Sequence, residues 1–140
     1  IALDEQRAIA ALHDTGPGPG KVRIAITRDG GQRWQDEETA SIPNPNTPVA
    51  LIRLNSGQLL LAGNGQEGRG ALSLWLSADE GKSWQASRTV EAAADGGAEF
   101  SAPVLLLGRD GRIHLTYTWR REGIKHVSFT EAWLATGRQP

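Results

Sequence analysis

Apolar and polar positions alternate with a period of two through much of this chain. Lys21-Val22-Arg23-Ile24-Ala25-Ile26 and Ala71-Leu72-Ser73-Leu74-Trp75-Leu76 both read as half-buried strands. Between them, Pro48–Leu54 and Gln58–Gly63 are apolar runs parted by Asn55-Ser56-Gly57, which predicts a hairpin closed by an Asx/Gly turn. The same design returns as Pro103–Leu107, the turn Gly108-Arg109-Asp110-Gly111, and Arg112–Thr118, with a further strand over Ile124–Phe129. Polar strands are expected at 35–41 and 85–91. An earlier strand is expected at Arg7–His13, and only Glu131-Ala132-Trp133-Leu134 looks helical.

One eight-residue pattern occurs twice, fifty positions apart: Thr27-Arg28-Asp29-Gly30-Gly31-Gln32-Arg33-Trp34 and Ser77-Ala78-Asp79-Glu80-Gly81-Lys82-Ser83-Trp84. Its chemistry is local. The short Asp side chain accepts from backbone N–H groups ahead of it, and Thr27 or Ser77 adds a hydroxyl to the same reversal. Gly31 and Gly81 take the backbone angle that the turn demands. Trp34 and Trp84 are expected to pin each turn to its own sheet. Asp29 and Asp79 therefore read as structural carboxylates rather than catalytic ones.

Repetition at this period means stacked units. Each unit is expected to run inner strand, hairpin, second strand, loop, third strand, clasp turn, outer strand, which is the order of a β-propeller blade. The expected architecture is all-β, a partial β-propeller of four-stranded antiparallel blades, with blade one at 1–41, blade two at 42–91 and blade three at 92–140. Blade one starts at its second strand and blade three lacks a clasp turn. The expected partners are therefore the remaining blades of a larger ring, or a second copy of this chain completing about six.

Composition narrows the function classes. With 15 basic and 16 acidic residues the net charge is −1, and the basic residues are scattered, so neither nucleic acid nor an anionic membrane surface is an expected partner. No apolar run reaches the length of a membrane span. The absence of Cys excludes thiol nucleophiles and Cys-ligated zinc, and three separated His show no metal-ligand spacing, so no metal or cofactor is expected. The compartment stays open.

In such blades one end of the sheets carries the hairpin and clasp turns, and the other carries the loops where ligands bind near the axis. The second end is expected to hold His13, Asp14, Asn44, Asn46, Asn64, Glu67, Arg69, Glu99, Phe100, Ser101, Trp119, Arg120 and Arg121. Asp29, Asp79, Ser56 and Asp110 fall on the far end. Within the first group Glu99 is the acidic candidate for catalysis, because it precedes an inner strand. Asn64, Phe100, Ser101, Trp119, Arg120 and Arg121 are the candidate binding residues, with Trp119 beside two arginines suited to stacking and anion binding. Each has a structural alternative: Asn64 as a turn residue, Trp119 as packing, the arginines as solvated charge. Tyr117 shares a strand face with Ile113 and Leu115 and reads as core. His126 is ambiguous in the same way.

The two clasp turns resemble the Asp-box, or BNR, repeats of sialidases. The segment from Glu99-Phe100-Ser101-Ala102-Pro103 through Gly111-Arg112-Ile113-His114-Leu115-Thr116-Tyr117-Thr118-Trp119 and Ile124-Lys125-His126-Val127 resembles the terminal blade of bacterial neuraminidases. The resemblance implies the C-terminal half of a six-bladed propeller that acts on a glycan carrying sialic acid or another acidic sugar. It implies an exo-glycosidase in which three arginines hold the substrate carboxylate, an Asp protonates the leaving group and a Glu-activated Tyr is the nucleophile. The position matching that Tyr is Phe100, followed by Ser101. The family's strand-ending acid has no counterpart, since the strand here ends Thr116-Tyr117-Thr118-Trp119. The Asp and the first arginine belong to blades outside this chain. The competing expectation is a non-catalytic module that binds a glycan or a protein on the same face.

Overall fold

The computed structural model describes residues 1–16, 20–37, 41–65, 68–94 and 97–136. Its strands are β1 (Ala8–Leu12), β2 (Gly20–Lys21), β3 (Arg23–Thr27), β4 (Gln35–Glu37), β5 (Pro43–Asn44), β6 (Ala50–Arg53), β7 (Leu59–Asn64), β8 (Ala71–Ser77), β9 (Gln85–Ala92), β10 (Phe100–Leu107), β11 (Ile113–Trp119) and β12 (Gly123–Phe129), before a short helix α1 (Glu131–Ala135). The antiparallel sheets run β1-β3-β4, β6-β7-β8-β9 and β10-β11-β12, and β2 pairs with β5. This is an all-β fold, a partial propeller of antiparallel blades. The four strands of the central blade are all present, while the flanking sheets have three each among the described residues. Beside β1, an Ala2–Ala8 bridge and the Ile9 N–H donating to the Ile1 carbonyl at 2.8 Å stand where an inner strand would pair. The polar strand expected at 35–41 is β4 as far as Glu37, and positions 38–40 lie outside the described residues.

The central blade packs on both sides, and the strand period sorts its residues between them. Leu59 and Leu61 of β7, with Trp75 of β8, join Ile9, Ile24 and Ile26 of the first sheet. Leu60 and Ala62, with Leu72 and Leu74, join Phe100, Leu105, Leu115 and Tyr117 of the third. That is why β7 carries a continuous apolar run: both of its faces are covered. The inner strands adjoin, with β10 lying against β6 and β7.

The clasp turns form at the ends of β3 and β8. In the second, Ser77 donates its hydroxyl to Asp79 Oδ1 at 2.8 Å and accepts from Gly81 N–H at 2.8 Å. Asp79 also accepts from the N–H of Ser83 at 2.8 Å and from its hydroxyl at 2.6 Å, and these bonds hold the carboxyl at about 2. In the first turn Thr27 donates to Asp29 at 2.9 Å, which accepts from Arg33 N–H at 2.9 Å. The tryptophans differ. Trp84 is 9% exposed, donates its indole N–H to the Gly81 carbonyl at 3.0 Å and packs with the first sheet, whereas Trp34 is 47% exposed. The expectation that each Trp pins its own turn is thus corrected for Trp34. Trp84 is buried jointly by Leu59, Leu61 and Trp75 of its own blade and by the blade before it, and the first sheet has no such preceding neighbour among the described residues.

At Thr130 the chain departs from the blade pattern. Where the central blade makes a clasp turn, Thr130 caps α1 by accepting from Trp133 N–H. The helix is docked back onto β9: buried Arg88 donates to the Trp133 carbonyl at 3.0 Å and covers the Trp133 ring at 4.6 Å, and Ser87 donates to the Leu134 carbonyl at 3.0 Å. Among the described residues no strand pairs with the outer edge of β12.

Candidate functional site

Register places the connections at two ends of the blades. Arg53, Leu59 and Ser77 are neighbours at one end with the hairpin and clasp turns. Asn64, Ala71 and Ala92 stand toward the other, together with Phe100, Trp119 and Gly123 of the third sheet.

At that second end three separate segments converge on Glu99. Arg69, from the loop between β7 and β8, donates to Oε1 at 2.9 Å, and Arg121, from the β11–β12 turn, donates to Oε2 at 2.5 Å. Ser101, at the start of β10, donates its hydroxyl to Oε1 at 2.7 Å. The Ser101 bond foremost, then the two arginines, hold the Glu99 carboxyl down at about 2. Both carboxylate oxygens are taken by Arg69, Arg121 and Ser101, so in place of the catalytic role expected for Glu99 the geometry shows a carboxylate that orients the two arginines. The sign of the linkage is that of a depressed carboxylate. Its stabilisation is present above the ordinary value of 4.5 and lost as pH falls toward about 2. Glu99→Gln should flatten the stability profile between those limits relative to wild type, as urea unfolding across that range measures; parallel profiles would contradict the assignment.

Above this bridge the β11–β12 connection is a tight turn, Glu122 N–H donating to the Trp119 carbonyl at 3.0 Å, with Arg120 and Arg121 at φ 56° and 59°. Both central positions of such a turn favour Gly or Asn, so two arginines there hold strained backbone. What offsets it is visible: Arg120 N–H donates to the Glu99 carbonyl at 2.7 Å, Arg121 reaches the Glu99 carboxylate, and the Arg120 guanidinium lies over the Trp119 ring at 4.9 Å. Lys125 approaches the same ring at 6.0 Å. A cationic rim on an aromatic platform is suited to holding an anionic or hydroxyl-rich ligand.

Other expected members fall elsewhere. Asn64 is fully buried and donates to the carbonyls of Ala71 and Phe100, both at 2.6 Å, tying the central blade to the third sheet; it is no ligand contact. Phe100 is 2% exposed in the core between those blades, so its place at the rim is corrected too. Ser101 is buried as a partner of Glu99. Asn44 is buried, bonding Thr47 through its side chain at both ends, while Asn46 is exposed at φ 58°. Asp14 accepts from Gly16 N–H at 2.9 Å, next to exposed His13. Glu67 lies outside the described residues.

Tyr117 is buried and donates its hydroxyl to Glu91 at 2.7 Å; burial, then Glu91, push the phenol up, away from nucleophilic use. Burial pulls Glu91 up, and hydrogen bonds from Lys125 and Tyr117 outweigh it, leaving that carboxyl low. Glu91 and Lys125 escape a sequence reading because each stands singly in an alternating strand. The one signal was their strand-end placement beside the same blade interface as Tyr117.

Residues 1–115 match the family described as the BNR repeat-like domain. No curated protein sequence matches the chain. Among solved structures, the GH93 α-L-arabinofuranosidase of Fusarium graminearum in complex with arabinobiose superposes with a TM-score of 0.72 at 16% identity, over 93% of this chain and 44% of that one. The intramolecular trans-sialidase from Ruminococcus gnavus in complex with oseltamivir carboxylate gives 0.69 at 18% identity, over 96% and 32%. The NanB sialidase from Streptococcus pneumoniae gives 0.69 at 14%, over 95% and 23%. The chain spans less than half the length of each.

Proposed function

The chain belongs to the BNR repeat-like domain family, and from that premise we propose that it is the C-terminal half of a six-bladed, carbohydrate-active propeller whose glycan is held at the rim of Arg69, Trp119, Arg120 and Arg121. The observation that carries this reading is the Arg69–Glu99–Arg121 bridge beneath the Arg120–Trp119 stack, at the end of the blades opposite the clasp turns. Glu99 fixes two guanidinium groups from different blades, and Arg120 projects its own from strained backbone onto an aromatic face. The ligand class that fits is a sugar carrying a carboxylate, as in the sialosides suggested by the sialidase resemblance.

Completion by further blades is supported by what the outer faces leave bare. Val104, Leu106 and Ile124 of the third sheet are 62%, 63% and 74% exposed, and Leu12 and Trp34 stand uncovered on the first. Hydrolysis by the complete protein would draw its acid from those other blades. Within this chain Phe100 has no hydroxyl and Tyr117 is buried, which favours the second reading, a glycan-binding module without turnover.

The test uses the full-length protein with two ligands, 3'-sialyllactose and arabinobiose, followed by calorimetry, and a fluorogenic sialoside for turnover. Arg120→Ala is expected to weaken binding of the acidic sugar roughly tenfold or more with the circular dichroism spectrum unchanged. Tighter binding of arabinobiose, or wild-type affinity in Arg120→Ala, would overturn the rim assignment. Turnover separates hydrolase from binding module.

A further inference from the structure

His114 of β11 and His126 of β12 stand on the face of the third sheet turned away from the central blade. They are diagonal neighbours, since β11 and β12 pair His114 with Ser128 and Thr116 with His126. Nδ1 of His114 and Nε2 of His126 are 3.0 Å apart, the ring planes differ by 10°, and the centroids are 5.3 Å apart. At that contact two imidazoles have room for such a centroid separation only when they lie edge to edge in nearly one plane, nitrogen against nitrogen. One nitrogen therefore carries a proton, and the other turns a bare lone pair toward it.

We infer that this pair is a two-histidine chelate for a divalent transition metal such as Zn²⁺, Ni²⁺ or Cu²⁺, which takes the place of the shared proton. Tetrahedral zinc binds imidazole nitrogen at about 2.0–2.1 Å, which separates two ligating nitrogens by roughly 3.3 Å. The observed gap is a few tenths of an ångström short of that, and because the two nitrogens face each other head on, each ring must turn by roughly 35° to aim at a shared tetrahedral ion. His126 is exposed and His114 half-buried in this chain, so neither ring is locked by packing here; they share the outer face with Leu106 and Ile124 that a further blade would cover, and the site is therefore assigned to the chain with that face free.

The surroundings tolerate a cation. Arg112, two residues before His114, is held to the Ser128 hydroxyl at 2.9 Å and to its carbonyl at 3.2 Å. Asp110 accepts from Arg112 N–H at 3.1 Å on the far side of His114. Gly108 keeps that flank open: a β-carbon there would meet Asp110 Oδ1 at 2.5 Å and His114 Nε2 at 3.2 Å. Leu106, opposite His114 in β10, brings no charge. No third His, Cys, Asp or Glu completes a cluster among the described residues. Water fills the remaining positions, and affinity should sit in the micromolar range or weaker and follow Cu²⁺ over Ni²⁺ and Zn²⁺.

The experiment is calorimetric titration of the metal-free chain with NiCl₂ and with ZnCl₂ at pH 7.5. One equivalent should bind, and His114→Ala or His126→Ala should each weaken it roughly tenfold or more by removing one arm of the chelate. His13→Ala, which removes the other exposed histidine, should leave binding unchanged. No saturable binding below millimolar metal, or equal affinity in His126→Ala, overturns the assignment. Circular dichroism of each variant separates a lost ligand from a lost fold.

Discussion

Trp84→Ala should remove about 3–5 kcal/mol of stability, while Trp34→Ala should change it by no more than about 1 kcal/mol. The two residues close the same motif, so local chemistry predicts equal losses. Packing predicts the opposite. Trp84 is 9% exposed and sits among Ile9, Ile24, Leu59 and Leu61, with its indole N–H on the Gly81 carbonyl. Truncation leaves a cavity between two blades and an unmet carbonyl. Trp34 is 47% exposed and holds no comparable place. Urea midpoints of the two variants with unchanged slopes would measure the difference. Comparable losses would show that the turns, rather than the blade interface, set the role of the tryptophan. In a protein with a blade ahead of the first sheet, the Trp34 loss should rise toward that of Trp84.

Strands, hairpins and clasp turns were legible because each rests on a short-range signal. The period of two in 71–76 marks β8, Asn55-Ser56-Gly57 marks a turn, and the hydroxyl-Asp-Gly spacing marks a network that closes within seven residues. The exposure of Trp34 was illegible since it depends on which blade stands beside the first sheet. The ends of the sheets followed from the order of strands, so Arg69, Glu99 and Arg121 were grouped correctly without any contact being known.

The use of each group was harder to read. Phe100 and Asn64 were placed at the right end of the blades, but register turns Phe100 into the core and Asn64 into a link between strands. From the sequence Glu99 reads as a catalytic candidate, because its two guanidinium partners lie 30 and 22 positions away. His114 and His126 were counted as scattered because the hairpin that unites them spans 12 residues, beyond metal-ligand spacing in a single turn. In each case the missing information is a side-chain direction or a cross-strand neighbour. Single-residue patterns do not encode either.

The sharpest test of blade stacking lies in a glycine. Gly81→Ala should lose about 2–4 kcal/mol and Gly31→Ala about 1–2 kcal/mol, although both replace the same position of the same motif. Gly31 has φ 94° and Gly81 φ 88°, so a β-carbon strains the backbone of both turns. Around Gly31 nothing lies within 4 Å, and strain is the whole effect. At Gly81 the new carbon would stand 2.4 Å from Cδ1 of Ile9, a fully buried residue of the first sheet. Ile9 is enclosed by the Leu59, Leu61 and Trp84 side chains and cannot swing aside, so the clasp turn of one blade must withdraw from the next. That withdrawal also pulls at the Arg7–Glu80 pair beside it, whose two hydrogen bonds are 2.6 and 3.1 Å. Thermal unfolding of both variants measures the gap. An Ile9→Val change made together with Gly81→Ala should recover part of the loss by giving the β-carbon room, and failure of that rescue would show that the penalty comes from the turn alone.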